Sequence, residues 1–411
     1  MSYKLEEIAE FQKGFAFKSK DFKDSGVRIV KVSNLTSESI DSSSCVCIDD
    51  DLAEKYIQYE LIKDDIIITT VGSWPTNPAS VVGKVVKVPE NMNNSLLNQN
   101  AVRIRGNSSV NQRYLYYLLK SNNFRDYIIG TAQGSANQAS ITQKDIKNFK
   151  YDIPTLKEQE AISKILSDID DKIEINNKIN KKLEEMAQAI FKQWFVDFEF
   201  PNEDGKPYKS SGGEMVESEF GMIPKCWKSK ELKEVIKFAK GKKPKIITDK
   251  EFDNSELYLT IDVLNRNFIQ YAVNDKVVLA NKKDILMVMD GGSSGSLYYG
   301  LDGIVGSTLS KLVINDEYIN EDILYYFLKL NEFNIKGHLT GSAIPHTDKE
   351  YVNRLILCIP SDKEILVRAI KILSGIREKV IINNEENSRL IKLRDTLLPK
   401  LMSGEIRVPL V

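Results

Sequence analysis

The chain has 411 residues, with 57 Lys and Arg against 58 Asp and Glu, 42% apolar side chains and two histidines. At roughly 150 residues per domain, that length predicts two or three compact units. A net charge of -1 gives no global pull toward nucleic acid or membrane, so any anion-binding surface must be a local patch. No apolar run approaches the roughly 18 residues of a membrane span, and the opening MSYKLEEIAE lacks a signal-peptide core, which predicts a cytoplasmic protein. Cys45, Cys47, Cys226 and Cys358 match neither a disulfide framework nor a zinc spacing and read as reduced thiols.

In chain order, short β-like runs at 27–32, 66–71, 81–88 and 101–105, followed by a helical stretch at 112–120, predict a first mixed α/β lobe with a small, bent sheet. The lobe is basic toward its end: residues 103–150 carry a net charge of +6. Within that region lies the amide-rich loop Thr131-Ala-Gln-Gly-Ser-Ala-Asn-Gln-Ala-Ser140. Gln and Asn can bond adenine, Arg and Lys guanine, and glycine lets the backbone approach closely. The lobe closes on Ile153-Pro154.

A long helix follows, opened by Thr155 and Glu158 as a capping box, in which the hydroxyl accepts a first-turn amide and the carboxylate reaches back. Leu166, Ile169, Ile173, Asn176, Asn180, Leu183, Ala187, Ile190 and Trp194 then step alternately by 3 and 4, a coiled-coil period. Residues 197–224 are rich in Gly, Pro, Ser and acid and read as an exposed connector.

The second half echoes the first at offsets of 205 to 230 residues. Lys13-Gly14 returns as Lys240-Gly241, Asp65-Ile-Ile-Ile68 as Asp284-Ile-Leu-Met287, and Leu115-Tyr-Tyr-Leu-Leu-Lys120 as Leu324-Tyr-Tyr-Phe-Leu-Lys329. Gly134-Ser-Ala136 returns as Gly341-Ser-Ala343, and Ile153-Pro154 as Ile359-Pro360. This lobe is also basic, with ten lysines against three acids in 225–250. A second helix, with Ser361 and Glu364 as its expected capping box, repeats the seam 207 residues on: Leu373, Ile376, Val380, Asn383, Asn387, Leu390, Arg394, Leu397 and Leu401. Amides at equivalent seam positions fix register, because a shifted helix leaves them unsatisfied. Asn176 and Asn180 should therefore face Asn383 and Asn387, in crossed order if the helices run antiparallel.

The predicted architecture is α/β (α+β). A lobe at 1–154, a helix at 155–200, a connector at 201–224, a second lobe at 225–360 and a second helix with its tail at 361–411 form two repeated lobes separated by an antiparallel coiled coil. From Leu166 to Trp194 the seam is roughly 40 Å long at about 1.5 Å per residue, or on the order of 12 base pairs. A target of two half-sites around an unread spacer follows.

Catalytic signatures are scarce. The chain has no phosphate loop, no dinucleotide fingerprint and no H-E-x-x-H. Gly291-Gly-Ser-Ser-Gly295 fits G-x-S-x-G, but SLYYGLDGIV after it reads as strand and turn where a nucleophile elbow needs a helix. The run reads instead as a flexible tight loop. Asp64-Asp65 and Asp170-Asp171 read as solvated charge, and nothing has metal-ligand spacing. A non-catalytic coiled-coil scaffold joining two interaction lobes is the alternative from another functional class.

Four stretches carry a family resemblance: Pro154 with Glu158-Gln159, the run Trp194-Phe-Val-Asp-Phe-Glu-Phe-Pro201, Ile223-Pro224 ahead of Trp227, and Leu398-Pro-Lys-Leu-Met-Ser-Gly-Glu-Ile406. Over essentially its whole length the chain resembles the specificity subunit of type I restriction-modification enzymes; only Lys363-Glu364, where Glu-Gln is usual, departs locally. The resemblance implies a host-defence protein with two target-recognition domains reading a bipartite site in double-stranded DNA. It implies two modification (methyltransferase) subunits docked on the helices, with restriction subunits able to join. S-adenosylmethionine, ATP and Mg are then expected only on the partners, and this subunit should be catalytically silent. Lys13, Arg103, Lys240, Lys242 and Lys243 are expected to neutralise phosphates, and Gln133, Asn137, Gln138, Ser342 and His346 to contact base edges. Lys18, Lys20, Asn34, Ser135 and Lys245 complete the candidate DNA-binding set.

Overall fold

The computed structural model describes residues 2–36, 39–74, 81–135, 138–219, 221–265, 268–273 and 275–409. The chain divides into two compact units, one made of 1–174 with 387–411 and the other of 175–386. Each holds one lobe and half of each long helix.

In the first unit, the repeated run after Asp65 is the strand Ile66–Thr69, which lies inside a four-stranded sheet between Ala101–Gly106 and Val85–Lys87, with Ala9–Lys13 at the far edge. All three isoleucines are fully buried, because successive side chains point to opposite faces and both faces are covered. Ile66 and Ile68 join Tyr114, Leu115 and Leu118 of the helix Gln112–Lys120, whereas Ile67 packs into a separate cluster with Val30 and Leu61. That second cluster lies against a second sheet, in which Val27–Val30 runs parallel to Ser95–Leu97 and is flanked by Val46–Ile48 and Glu60–Leu61.

The second unit repeats this plan. Its four-stranded sheet is ordered Ile236–Lys240, Leu309–Ile314, Ile285–Val288, Leu297–Tyr299, and its second sheet again has one parallel pair, Ser255–Leu259 with Gly303–Val305. The edge strand Ile247–Thr248 is an addition. Ile285 and Met287 face one cluster, Leu286 and Val288 another. Packing also explains the repeated glycine: a Cβ on Gly14 would lie 1.9 Å from the Asn98 carbonyl oxygen, and one on Gly241 2.2 Å from that of Gly306.

The long helices are Leu156–Phe195 and Lys363–Met402. Every seam position is buried or half-buried. In the first unit Asp170 meets Arg394, and Ile162 and Leu166 share a core with Leu401 and Met402. In the second, Asn176 meets Glu386 and Asn180 meets Asn383. Residue numbers rise on one helix as they fall on the other in both units, so the helices pair as an antiparallel coiled coil.

The first capping box is present: the Thr155 amide donates to Glu158 Oε2 at 2.9 Å, and the Glu158 amide to Thr155 Oγ1 at 3.4 Å. The Thr155 hydroxyl, which donates to Glu158 Oε2 at 2.8 Å, and the Thr155 amide hold the Glu158 carboxyl below its ordinary value. The second helix departs from expectation. Asp362, not Ser361, takes the Glu364 amide at 2.8 Å, and the Glu364 carboxylate turns forward to Arg368 at 2.6 Å. An aspartate one residue on is an equally good cap and releases the glutamate.

The connector is less exposed than its composition suggests. Phe198 and Phe200 are buried, and both stack or edge-pack on Trp227 with centroids 5.3 and 5.2 Å away. Met215–Ser218 and Gly221–Pro224 form a hairpin. Aromatic residues spaced through a polar stretch carry it into the main core of the second unit, with Phe195, Leu232 and Ile285.

Candidate nucleic-acid interface

In the first unit the register aligns Lys13, Val102 and Ile68 across the sheet, followed by Ala101 and Thr69. Beyond that row the chain leaves the sheet, and Val71–Gly72 pairs with Gln138–Ser140, which pairs with Gln133–Ser135. Lys13 and the amide-rich hairpin therefore rise from one end of the same sheet. Ala139 is fully buried while Gln138 and Ser140 are exposed, as alternation along a strand requires. Gln133 and Ser135 are exposed too, and the Trp74 indole donates to the Ser135 carbonyl at 2.8 Å. Gly134 has φ +154°, and a Cβ there would meet the Gln138 carbonyl oxygen at 2.0 Å, which is why this tip is glycine. Asn137 lies outside the described residues.

The second unit uses the same end of its sheet. Lys240, Ser310 and Met287 share a row, Val288 pairs with Leu309, and Asp290 then bridges to His346. His346–Thr347 pairs with Leu339–Thr340, and Ser342 is exposed in the loop between them. The Asp290 carboxylate accepts from His346 Nδ1 at 2.7 Å and from Lys240 Nζ at 3.2 Å. Burial pushes that carboxyl up, but the two bonds and the neighbouring charges outweigh it and leave it below its ordinary value.

The remaining candidates fall into two groups. Lys13, Lys18, Lys20, Lys242 and Lys243 are exposed and make no salt bridge among the described residues, whereas Lys245 pairs with Asp275 at 3.1 Å. Asn34 and Arg103 are hydrogen-bonded inside the first lobe. Asn34 is buried; its oxygen accepts from the Lys31 amide and its nitrogen donates to both the carbonyl and hydroxyl of Ser44. Arg103 donates to the carbonyls of Gln58 and Glu60, and burial, with Arg105 beside it, lowers its pKa.

The seam amides are engaged. Asn383 Nδ2 donates to Asn180 Oδ1 at 2.8 Å, Asn180 Nδ2 to Asn384 Oδ1 at 3.0 Å, and Asn176 Nδ2 to Glu386 Oε2 at 2.8 Å. Asn387 is buried.

Three features differ from their reading in the sequence. Asp65 is buried and chelates Arg105 through Nε and Nη2 at 2.5 and 2.8 Å. Asp170 is likewise internal, taking Arg394 at 2.9 Å and the Tyr117 hydroxyl at 2.6 Å, beside a 410 Å³ cavity that Lys120 and Arg125 also line. The G-x-S-x-G loop is tied down: the buried Ser294 hydroxyl donates to the carbonyls of Gly291 and Pro345. Asp290 itself carried no signal beyond its place after a strand. Among the described residues no group of His, Cys, Asp or Glu is suited to a metal ion, and no helix is long and apolar enough to cross a membrane.

The family model for the type I restriction modification DNA specificity domain matches residues 1–185 and 224–392. The chain belongs to that family. It is 27% identical over 326 residues to the type I restriction enzyme MjaIX specificity subunit of Methanocaldococcus jannaschii, covering 76% of this chain and 73% of that one. It is 25% identical over 390 residues to the HindI specificity subunit of Haemophilus influenzae, covering 79% and 84%. The crystal structure of the type I restriction-modification S subunit from M. genitalium superposes with a TM-score of 0.54 at 16% identity, covering 98% and 95%, a likeness of fold. The two matched stretches of the specificity family are the two halves of the internal repeat, each with its lobe and most of its helix.

Proposed function

We propose that this chain is the DNA-reading subunit of a type I restriction-modification complex, with each lobe reading one half of a bipartite site in double-stranded DNA. The observation that carries the reading is the repeated placement, in a DNA specificity family, of an exposed hairpin and a lysine at the same end of the same sheet. Lys13, Lys18, Lys20, Lys242 and Lys243 neutralise phosphates. Gln133, Ser135, Asn137, Gln138, Ser342 and His346 stand at the base edges, where amide, hydroxyl and imidazole groups match the donor and acceptor pattern of the major groove. The paired helices hold two modification subunits, and restriction subunits join that core. Methyl transfer and ATP-driven cleavage, with S-adenosylmethionine, ATP and Mg, belong to those partners, and the complex works in the cytoplasm.

Mobility-shift titration of the chain with its modification subunits tests this reading. Replacing Lys242 and Lys243 together with Ala should weaken specific and unrelated duplexes alike and make the slope of log affinity against log salt shallower by about 2. Replacing Gln138 with Ala should leave the salt slope unchanged and relax one position. Equal affinity of the parent for every duplex contradicts the reading.

A further inference from the structure

Among the described residues the Asp290 and His346 pair beside Lys240 has no counterpart in the first lobe. There the corresponding strand pairing joins Val71 and Gly72 to Ser140 and Ala139, and none of these carries a carboxylate or an imidazole. In the second lobe Asp290 and His346 are bridged through their backbones, and their side chains bond to each other as well, at 2.7 Å. Neighbouring bonds fix both ends: the Gly291 amide donates to the Pro345 carbonyl, the Thr347 amide to the Met289 carbonyl, and the Thr347 hydroxyl to the Val288 carbonyl. A Cβ on Gly341 would approach His346 Cδ2 at 2.9 Å and Nε2 at 3.6 Å, so the glycine leaves the Cδ2–Nε2 edge of the ring uncovered by a side chain. The His346 side chain is still 48% exposed.

An ionised carboxylate only accepts, so the bond to Asp290 places a proton on Nδ1. In the neutral ring Nε2 is then an acceptor, and the contact made by one nitrogen sets the role of the other. In the major groove an acceptor complements the exocyclic amine of cytosine or adenine and opposes the acceptor edge of guanine.

We propose that Asp290 is a specificity-positioning residue of the second lobe, clamping His346 so that Nε2 presents a fixed acceptor to a cytosine or adenine amine at one base-pair position. This rests on the DNA-reading function proposed above and adds the residue that gives one contact its chemical sense. Lys240, on the other oxygen of Asp290, balances the carboxylate's charge beside the phosphates.

The test is selection from a duplex pool randomised across the recognised positions, using the full chain assembled with its modification subunits. Asp290→Asn and His346→Ala should each lower discrimination at one and the same position, by roughly tenfold, and leave the half-site of the first lobe untouched. The double variant should be no worse than His346→Ala alone, because Asp290 acts through the ring. Effects that multiply in the double variant, or that fall on different positions, overturn the proposal. Should Asp290→Asn fail to fold, His346→Gln replaces it: an amide that both donates and accepts should relax the same position, and full discrimination by that variant overturns the proposal. A parent that reads two half-sites and an inert His346→Ala variant overturn the Asp290 role alone; a parent that enriches no sequence overturns the DNA-reading function with it.

Discussion

Asn34, Arg103 and Asp65 carry side chains of the kind that meet nucleic acid or water, yet each is tied into the first lobe by at least two hydrogen bonds. Nothing local distinguishes Arg103 from an open lysine such as Lys13, because its burial depends on Glu60, 43 residues away. Asp65 and Arg105 form a bidentate pair with the acid buried, and removing one partner strands the other charge. Asp65→Ala should therefore cost about 3–5 kcal/mol, read as a lower urea midpoint at unchanged slope. In the second unit, burial holds the Glu184 carboxyl above its ordinary value of 4.5, against the Arg377 charge and the Tyr326 hydroxyl, which act the other way. The folded chain thus binds this proton more tightly than the unfolded chain does. Glu184 adds stability below its ordinary value, and that contribution is lost as pH rises through the raised one. Glu184→Gln keeps an acceptor for Tyr326 and removes the titration, so its stability should fall less than the parent's as pH rises above the ordinary value of 4.5.

The long helices were the most legible elements, since a 3.5-residue period repeated at one offset has few other physical meanings. Their caps were half legible: a capping box is a local signal, and Thr155 and Glu158 obey it, but an Asp beside Ser361 offered a competing cap that spacing could not rank. Lobe strands were legible where apolar residues run unbroken, as in Ile66–Thr69, because only a central strand buries both faces. The second sheet and the packed connector were not, because they depend on contacts among residues far apart in sequence. Thr155→Ala should cost about 1 kcal/mol of stability. Asn383→Leu removes the donor to Asn180 and should cost about 1–3 kcal/mol, whereas leucine at both 180 and 383 should recover most of it. Chemical denaturation of the two variants measures the difference, and equal losses contradict the pairing.

At the scale of the whole molecule, internal duplication turns one reader into two, and the repeat keeps sheet order, parallel pair and hairpin position while changing the exposed residues: Gln133 and Gln138 in one lobe, Ser342 and His346 in the other. Two lobes built alike but tipped differently suit a site of two unlike halves. On the proposed reading, the unread spacer follows helix length. Adding seven residues to both long helices preserves the seam and lengthens the helices by roughly 10 Å, so the spacer should grow by about three base pairs. The most direct measurement is sequencing of duplexes selected from a fully randomised pool by the full chain with its modification subunits. Two short recognised blocks at one fixed separation are expected, with lobe-specific substitutions altering one block each. A single continuous block, or two blocks at variable separation, would contradict that expectation.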